Sequence, residues 1–340
     1  MHTGFSFRLA IVSVTLALCA ADANVIEYDI GTQNKPNAAY APWHLHVWAP
    51  SSPSPAPARV MFFAPGFAGF MASTDYSEIL STVAANTNTV VVGIDRKLKL
   101  AHGLVVNYTD LAYTAGKVIE EYIENDEGLL KDCKSHGFSG TINTKSDFVF
   151  AAHSAGNHLS VRRMVNWGCQ KFTSMVMIDP VDGEDPEGII KEYVIHPPAP
   201  VNFTIPALHI MTGKDPQGHP SCAPAFMANA RFYNAWTGPI WQINATLFGH
   251  MGVVDADRGG LFKLACPKNN NATARGVYRS TVAESMTKFI NGLYNGDVGM
   301  LNSLTQPQTF PFPVVLQQKN MNVTGGALGK GGKPQPFCRR

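Results

Sequence analysis

The chain has 340 residues, 45% hydrophobic and 15% charged, a composition that excludes an intrinsically disordered polymer. Lys and Arg number 27 against 25 Asp and Glu, so the net charge of +2 offers neither a basic excess for nucleic acid nor an acidic tail. Gly 30 and Pro 23 predict many tight loops.

In chain order, His2 and Arg8 come before an apolar run from Leu9 to Leu18, and the small residues Ala20, Ala21 and Ala23 follow it. A charged start, an apolar stretch and an A-x-A site predict a secretory signal peptide over residues 1–23. The run is shorter than the ~20 residues a membrane span needs, and no later segment is long and apolar enough. The mature chain is therefore expected to be soluble and secreted. Sequons at Asn107, Asn202, Asn244, Asn271 and Asn322 agree with N-glycosylation in that pathway. An oxidising compartment also predicts disulfides. The expected pairs are Cys133–Cys169 and Cys222–Cys266, with Cys338 left over. No spacing suggests a zinc site.

Val25–Ile30 and Trp43–Trp48 read as strands. The second alternates, with Trp43, Leu45 and Val47 on one face and His44, His46 and Trp48 on the other. Val60–Ala64 is a short apolar strand ending at Pro65-Gly66, and Asp75–Ala85 has helical spacing. Thr89–Ile94 is a buried strand ending at Asp95, and Asp110–Leu130 reads as one long helix. Then come strand Asp147–Ala151, helix Ala155–Trp167, strand Phe172–Ile178, strand Ala207–Met211, helix Pro224–Trp236, strand Ile240–Leu247 and helix Thr273–Tyr294. Such alternation predicts an α/β fold: a mostly parallel central sheet with helices on both faces. One domain is expected over residues 24–300. Residues 301–340 are expected to be a poorly packed Gln/Pro/Gly-rich tail.

In such sheets functional groups collect at the C-terminal strand ends. The polar residues there are Asp95, Ser154, Asp179, Asp215 and His250. Ala152-His153-Ser154-Ala155-Gly156 lies between a strand and a helix, and small residues around Ser154 permit the sharp turn that exposes a nucleophilic hydroxyl. Ala152 stands where glycine is usual. His250, between Gly249 and Gly252 after the last strand of the domain, is the expected base. His209 falls inside a strand and reads as a core histidine, and His219 lies in a Pro/Gly loop. His153 adjoins Ser154, so its side chain should point elsewhere. The acid is open between Asp179, which follows Phe172–Ile178, and Asp215, which ends the next strand. Two backbone N–H groups, of Ala155 and Phe67, are the expected oxyanion hole. Phe70, Met71 and Met251 would add an apolar wall for an ester. The acidic run from Asp182 to Glu187 lacks the spacing of a calcium loop. No metal or cofactor is expected.

These motifs resemble the chlorophyllases, a branch of the α/β-hydrolases. The resemblance is carried by Pro65-Gly66-Phe67, His153-Ser154-Ala155-Gly156, Ile178-Asp179-Pro180-Val181-Asp182-Gly183, Phe248-Gly249-His250-Met251 and Cys222-Ala223-Pro224. It covers roughly Val60 to Asp257. It implies the α/β-hydrolase fold, ester hydrolysis by a Ser-Asp-His triad, and an acid within the Asp-Pro-Val string, which favours Asp179 over Asp215. It also implies a substrate such as the phytyl ester of chlorophyll. Ala155 replaces an arginine of the family, and the leader and sequons contrast with the family's intracellular plant members. Other apolar esters (lipid, carotenoid, polyester) and a non-catalytic binding protein on the same fold are the alternative readings.

Overall fold

The computed structural model describes residues 24–30, 43–66, 71–96, 108–125, 127–183, 192–215, 221–255, 266, 269 and 271–321. Its strands are β1 (Val25–Ile30), β2 (Trp43–Pro50), β3 (Arg59–Ala64), β4 (Thr89–Arg96), β5 (Phe148–His153), β6 (Phe172–Ile178), β7 (Ala207–Thr212), β8 (Ile240–Ala245) and β9 (Val314–Lys319). They form one sheet in the order β1-β2-β4-β3-β5-β6-β7-β8-β9. From β4 through β8 in that order, all neighbours are parallel. β1, β2 and β9 join antiparallel at the margins. The cause is legible in the strands. β5 and β6 are apolar almost throughout and buried at every position, as strands covered on both faces must be.

The alternation of β2 sorts its side chains between two cores. Trp43, Leu45, Val47 and Ala49 pack with α2 (Tyr108–Val118), α3 (Leu129–Ser135), α4 (Gly156–Trp167) and α5 (Ala230–Ala235). Trp48 packs in the opposite layer, with α1 (Ser77–Thr87) and α6 (Ala272–Asn295). The α/β-hydrolase architecture expected from the sequence is thus the one formed. Among the described residues no helix is long and apolar enough to cross a membrane.

Four expectations fail locally. The helix expected over 110–130 is broken: α2 runs into a π turn at Ile119–Ile123, and α3 starts only at Leu129. Asn125 is the breaker, its side chain accepting from Glu127 N at 3.0 Å while Gly128 N bonds its carbonyl at 2.8 Å. The helix expected over 224–236 shrinks to α5, because the preceding stretch is bound to the loop after β6: Asp182 N reaches Met227 O at 2.7 Å. The described part of the tail, residues 301–321, is not poorly packed. It contributes α7 (Val298–Ser303) and β9, whose Val314 and Leu316 pack against the second core. Finally, Cys222–Cys266 is bridged as expected, but Cys133 is a free buried thiol although Cys169 is disulfide-bonded. The expected Cys133–Cys169 pair therefore does not form. Cys133 instead accepts a hydrogen bond from the Tyr28 hydroxyl at 2.9 Å inside the first core.

Candidate active site

β5 ends at His153 and α4 begins at Gly156, so Ser154 occupies the turn between them. Its φ is +53°, a left-handed conformation that costs a non-glycine residue about 1–3 kcal/mol. Neighbouring bonds hold it there. Ser154 N donates to Ile178 O at 3.0 Å, and Ser154 O accepts from Val181 N and Asn157 N, each at 3.1 Å. Asn157 Nδ2 also bridges Ala152 O and Ser154 O at 3.2 and 3.1 Å. Two glycines make room. A Cβ on Gly156 would lie 2.2 Å from Ala64 O, so α4 docks directly on the end of β3. A Cβ on Gly66 would lie 2.8 Å from Ser154 Cβ.

His250 opens a 3₁₀ turn, His250–Val253, just past β8. Its Nε2 lies 2.7 Å from Ser154 Oγ and its Nδ1 lies 2.6 Å from Asp179 Oδ2. A carboxylate only accepts, so Nδ1 carries the proton and Nε2 is left to accept from the serine hydroxyl. Ser154, His250 and Asp179 are all buried. Asp179, also left-handed at φ +40°, follows β6 directly. Its Oδ1 accepts from Thr212 N at 3.1 Å and Asn229 Nδ2 at 2.9 Å, and its Oδ2 accepts from Thr212 Oγ1 at 2.9 Å. Burial pushes this carboxyl up, but the bond and charge of His250, with Asn229, outweigh it and hold the group below the ordinary carboxylate value. For His250, burial pushes the imidazole down, and the bond and charge of Asp179 overcome that and raise it.

Asp215 is buried beside the pair but meets a different part of His250. Its Oδ2 accepts the His250 backbone N–H at 2.5 Å. Burial, then the neighbouring Asp179 charge, pushes Asp215 up to about 6. The two acids that the strand layout leaves open are therefore distinguished by contact: Asp179 touches the ring, and Asp215 touches the main chain.

Ala155 is buried at the start of α4, whose N-terminal dipole favours a negative oxygen. Phe67 and Phe70 lie outside the described residues, as do Asn107, Asn322 and His219. Met71 and Met251 are buried in the second core, with Phe248 and Tyr278 nearby in the same layer. Asn202 and Asn271 are exposed, whereas Asn244 is half-buried within β8 between two neighbouring strands. His209 is a satisfied core histidine, bonded to Asn229 and Gln242.

Asp182 is not a cation ligand at the surface. Fully buried, it accepts from His158 Nδ1 at 2.8 Å, Arg231 Nε at 2.9 Å, and the N–H groups of Val194 and Ile195 at 2.8 and 3.0 Å. It ties Val194 and Ile195 back to the elbow helix through His158. Among the described residues, Asp179, Asp215 and His250 lie close enough together to hold a metal ion, but they use His250 Nδ1 and its main-chain N–H on one another. Sequence reasoning missed Thr212 and Asn229, the partners of Asp179, and Tyr76, the partner of His153. The signal for the first two was the requirement itself: a buried carboxylate needs several donors, which nearby strand-end residues must supply.

The chain matches the family model described as Chlorophyllase over residues 17–323. It is also similar to Chlorophyllase-2 of Arabidopsis thaliana, at 24% identity over 240 residues, 64% of this chain and 73% of that protein.

Proposed function

The chain belongs to the chlorophyllase family of α/β-hydrolases, and from that premise we propose that it hydrolyses apolar carboxylic esters through Ser154, His250 and Asp179, with the phytyl ester of chlorophyll as first substrate. The observation that carries the reading is the unbroken line Ser154 Oγ to His250 Nε2 to Asp179, at 2.7 and 2.6 Å, on a left-handed serine. Ser154 Oγ attacks the ester carbonyl while Nε2 takes its proton. Asp179 keeps Nδ1 protonated and stabilises the imidazolium. The backbone N–H of Ala155, with that of Phe67, receives the oxyanion. The imidazolium returns its proton to the leaving alkoxide, phytol in the case of chlorophyll. Water, activated by the same base, then releases the acid, chlorophyllide, from the acyl-enzyme.

Neutral imidazole and an ionised Asp179 suffice for each proton transfer, so the reading involves no cofactor. The leader over 1–23, the exposed sequons at Asn202 and Asn271, and the Cys222–Cys266 bridge support secretion as the protein's route. Ala155 in place of the family's arginine bears on the pocket at the carbonyl, and is the reason to test other esters as well.

The test is covalent labelling by a fluorophosphonate, followed by product identification with chlorophyll, a carotenoid ester, a triglyceride and a short acyl ester. Labelling should map to Ser154, and Ser154→Ala should lower turnover by about 10⁴-fold or more. An unlabelled, folded wild-type protein would mean a binding protein on a hydrolase fold. Labelling with turnover of the other esters but not of chlorophyll would keep the chemistry and replace the substrate.

A further inference from the structure

His153, the residue before the candidate nucleophile, does not face solvent. It is buried, and its ring lies 4.6 Å from that of His250, centroid to centroid. Its Nε2 is 3.1 Å from the His250 carbonyl oxygen and its Nδ1 is 2.7 Å from the Tyr76 hydroxyl. The directions of these bonds are fixed by what each group can do. A carbonyl only accepts, so Nε2 carries the proton. Nδ1 of a neutral ring then accepts, and the Tyr76 hydroxyl donates to it. The hydroxyl oxygen in turn accepts from Gly66 N at 3.4 Å. One directed chain therefore runs from Gly66, through Tyr76 and His153, to the main chain of His250.

Both ends of that chain matter. Gly66 packs against Ser154 and immediately precedes the expected oxyanion donor Phe67. At the other end the His250 main chain is held on both sides, its N–H by Asp215 and its C=O by His153. Tyr76 is itself anchored. It ends the 3₁₀ turn Ser73–Tyr76, and Ser73 donates from N and Oγ to Asp95 at 2.7 and 2.9 Å. A Cβ on Gly93 would collide with Ser73, so the turn sits directly on β4. Asp95, a strand-end acid with no part in the proton transfers, thus fixes the turn that carries Tyr76.

We propose that Tyr76 and His153 are positioning residues that hold the base His250 and the Gly66 backbone in register with Ser154. The inference rests on the assignment of Ser154 and His250 given above. It adds that the aim of the base is set through its backbone, by a histidine on the elbow itself. Burial, with the neighbouring His250, pushes the His153 imidazole down to about 3, so it stays neutral and its bond directions persist across the working range.

The experiment compares Tyr76→Phe, His153→Gln, His153→Leu and the double variant Tyr76→Phe/His153→Leu in the full chain. The readouts are kcat and KM on a p-nitrophenyl acyl ester, the fluorophosphonate labelling rate, and the melting temperature. Tyr76→Phe keeps the ring in place and removes only the hydroxyl, so it should fold. The expected result is a kcat about tenfold lower in Tyr76→Phe and about 10²-fold lower in His153→Leu, with KM within about twofold. Glutamine, which can both donate and accept, should recover part of the leucine loss. The double variant should be no slower than His153→Leu alone, because both changes break one chain. Wild-type labelling rates in Tyr76→Phe and His153→Gln would overturn the inference, as would additive losses that track melting temperature. A wild-type protein that is never labelled would instead defeat the hydrolase reading, which separates the two failures.

Discussion

Asp179 and Asp215 are both buried acids beside His250, and their different contacts predict different mutants. Asp179→Asn would present an amide to Nδ1 and favour the wrong tautomer, so kcat should fall about 10⁴-fold. Asn at 215 keeps an oxygen to accept the His250 backbone N–H, so its loss should stay within about tenfold. Turnover lost in a stable Asp215→Asn, with Asp179→Asn active, would transfer the acid role to the later strand. The charges also predict a pH profile. The proposed reaction requires neutral His250, whose pKa is raised above the ordinary 6.5, so kcat/KM should fall as pH drops through an inflection above that value. The Asp215 charge contributes to that raising, and Asp215→Asn should move the inflection downward. An inflection that stays put, or moves up, would contradict the assigned field. The same raised value has a consequence for the fold: this His contributes stability below its unfolded pKa and loses it as pH rises through the folded one.

At the scale of elements, the elbow is a fit between two backbones. Gly156 lets the start of α4 approach Ala64 O and Pro65 O, and a methyl there would sit 2.2 and 2.7 Å from them. Neither carbonyl can move without shifting β3. Gly156→Ala should therefore destabilise by about 1–3 kcal/mol or more and reduce turnover together, as melting temperature and kcat measured on one preparation would show. A stable variant of normal activity would mean that the docking is looser than the geometry requires. Ala152, by contrast, stands where glycine is usual and is simply buried, which explains why the strand–turn–helix pattern was legible despite the departure. Helix lengths were less legible. Residues 124–128 carry no apolar side chain, and the Asn125 side chain bonded to Glu127 N turns that polar gap into a break between α2 and α3. Gln317 and Gln318 likewise masked β9, whose burial needs β8 as a neighbour.

For the whole molecule, the Cys222–Cys266 bridge spans a sequence separation of 44 and joins the segment before α5 to the segment before α6. Closing a loop of that length removes enough unfolded-state entropy for about 4 kcal/mol in the chain-entropy model. Replacing both cysteines by alanine should lower the melting temperature by several degrees while leaving the labelling of Ser154 intact, since neither is a partner of the triad candidates. An unchanged melting curve would mean that the bridge does not restrain the unfolded chain.

The sequence by itself determined the alternation of strands and helices, the mostly parallel sheet, the strand-end position of the polar residues and the order of Ser154, a later strand-end aspartate and His250. These follow from local periodicity and from small residues at a turn, which are properties of neighbouring positions. The tertiary structure alone decided which aspartate meets the imidazole, since both follow adjacent parallel strands and differ only in where each carboxylate points. It alone decided that Cys133 is free, and that Tyr76, 77 residues from His153 in sequence, shares a hydrogen bond with it. Such contacts depend on the three-dimensional approach of distant segments, and hydrogen bonding and disulfide formation act only once folding has brought those segments within a few ångströms.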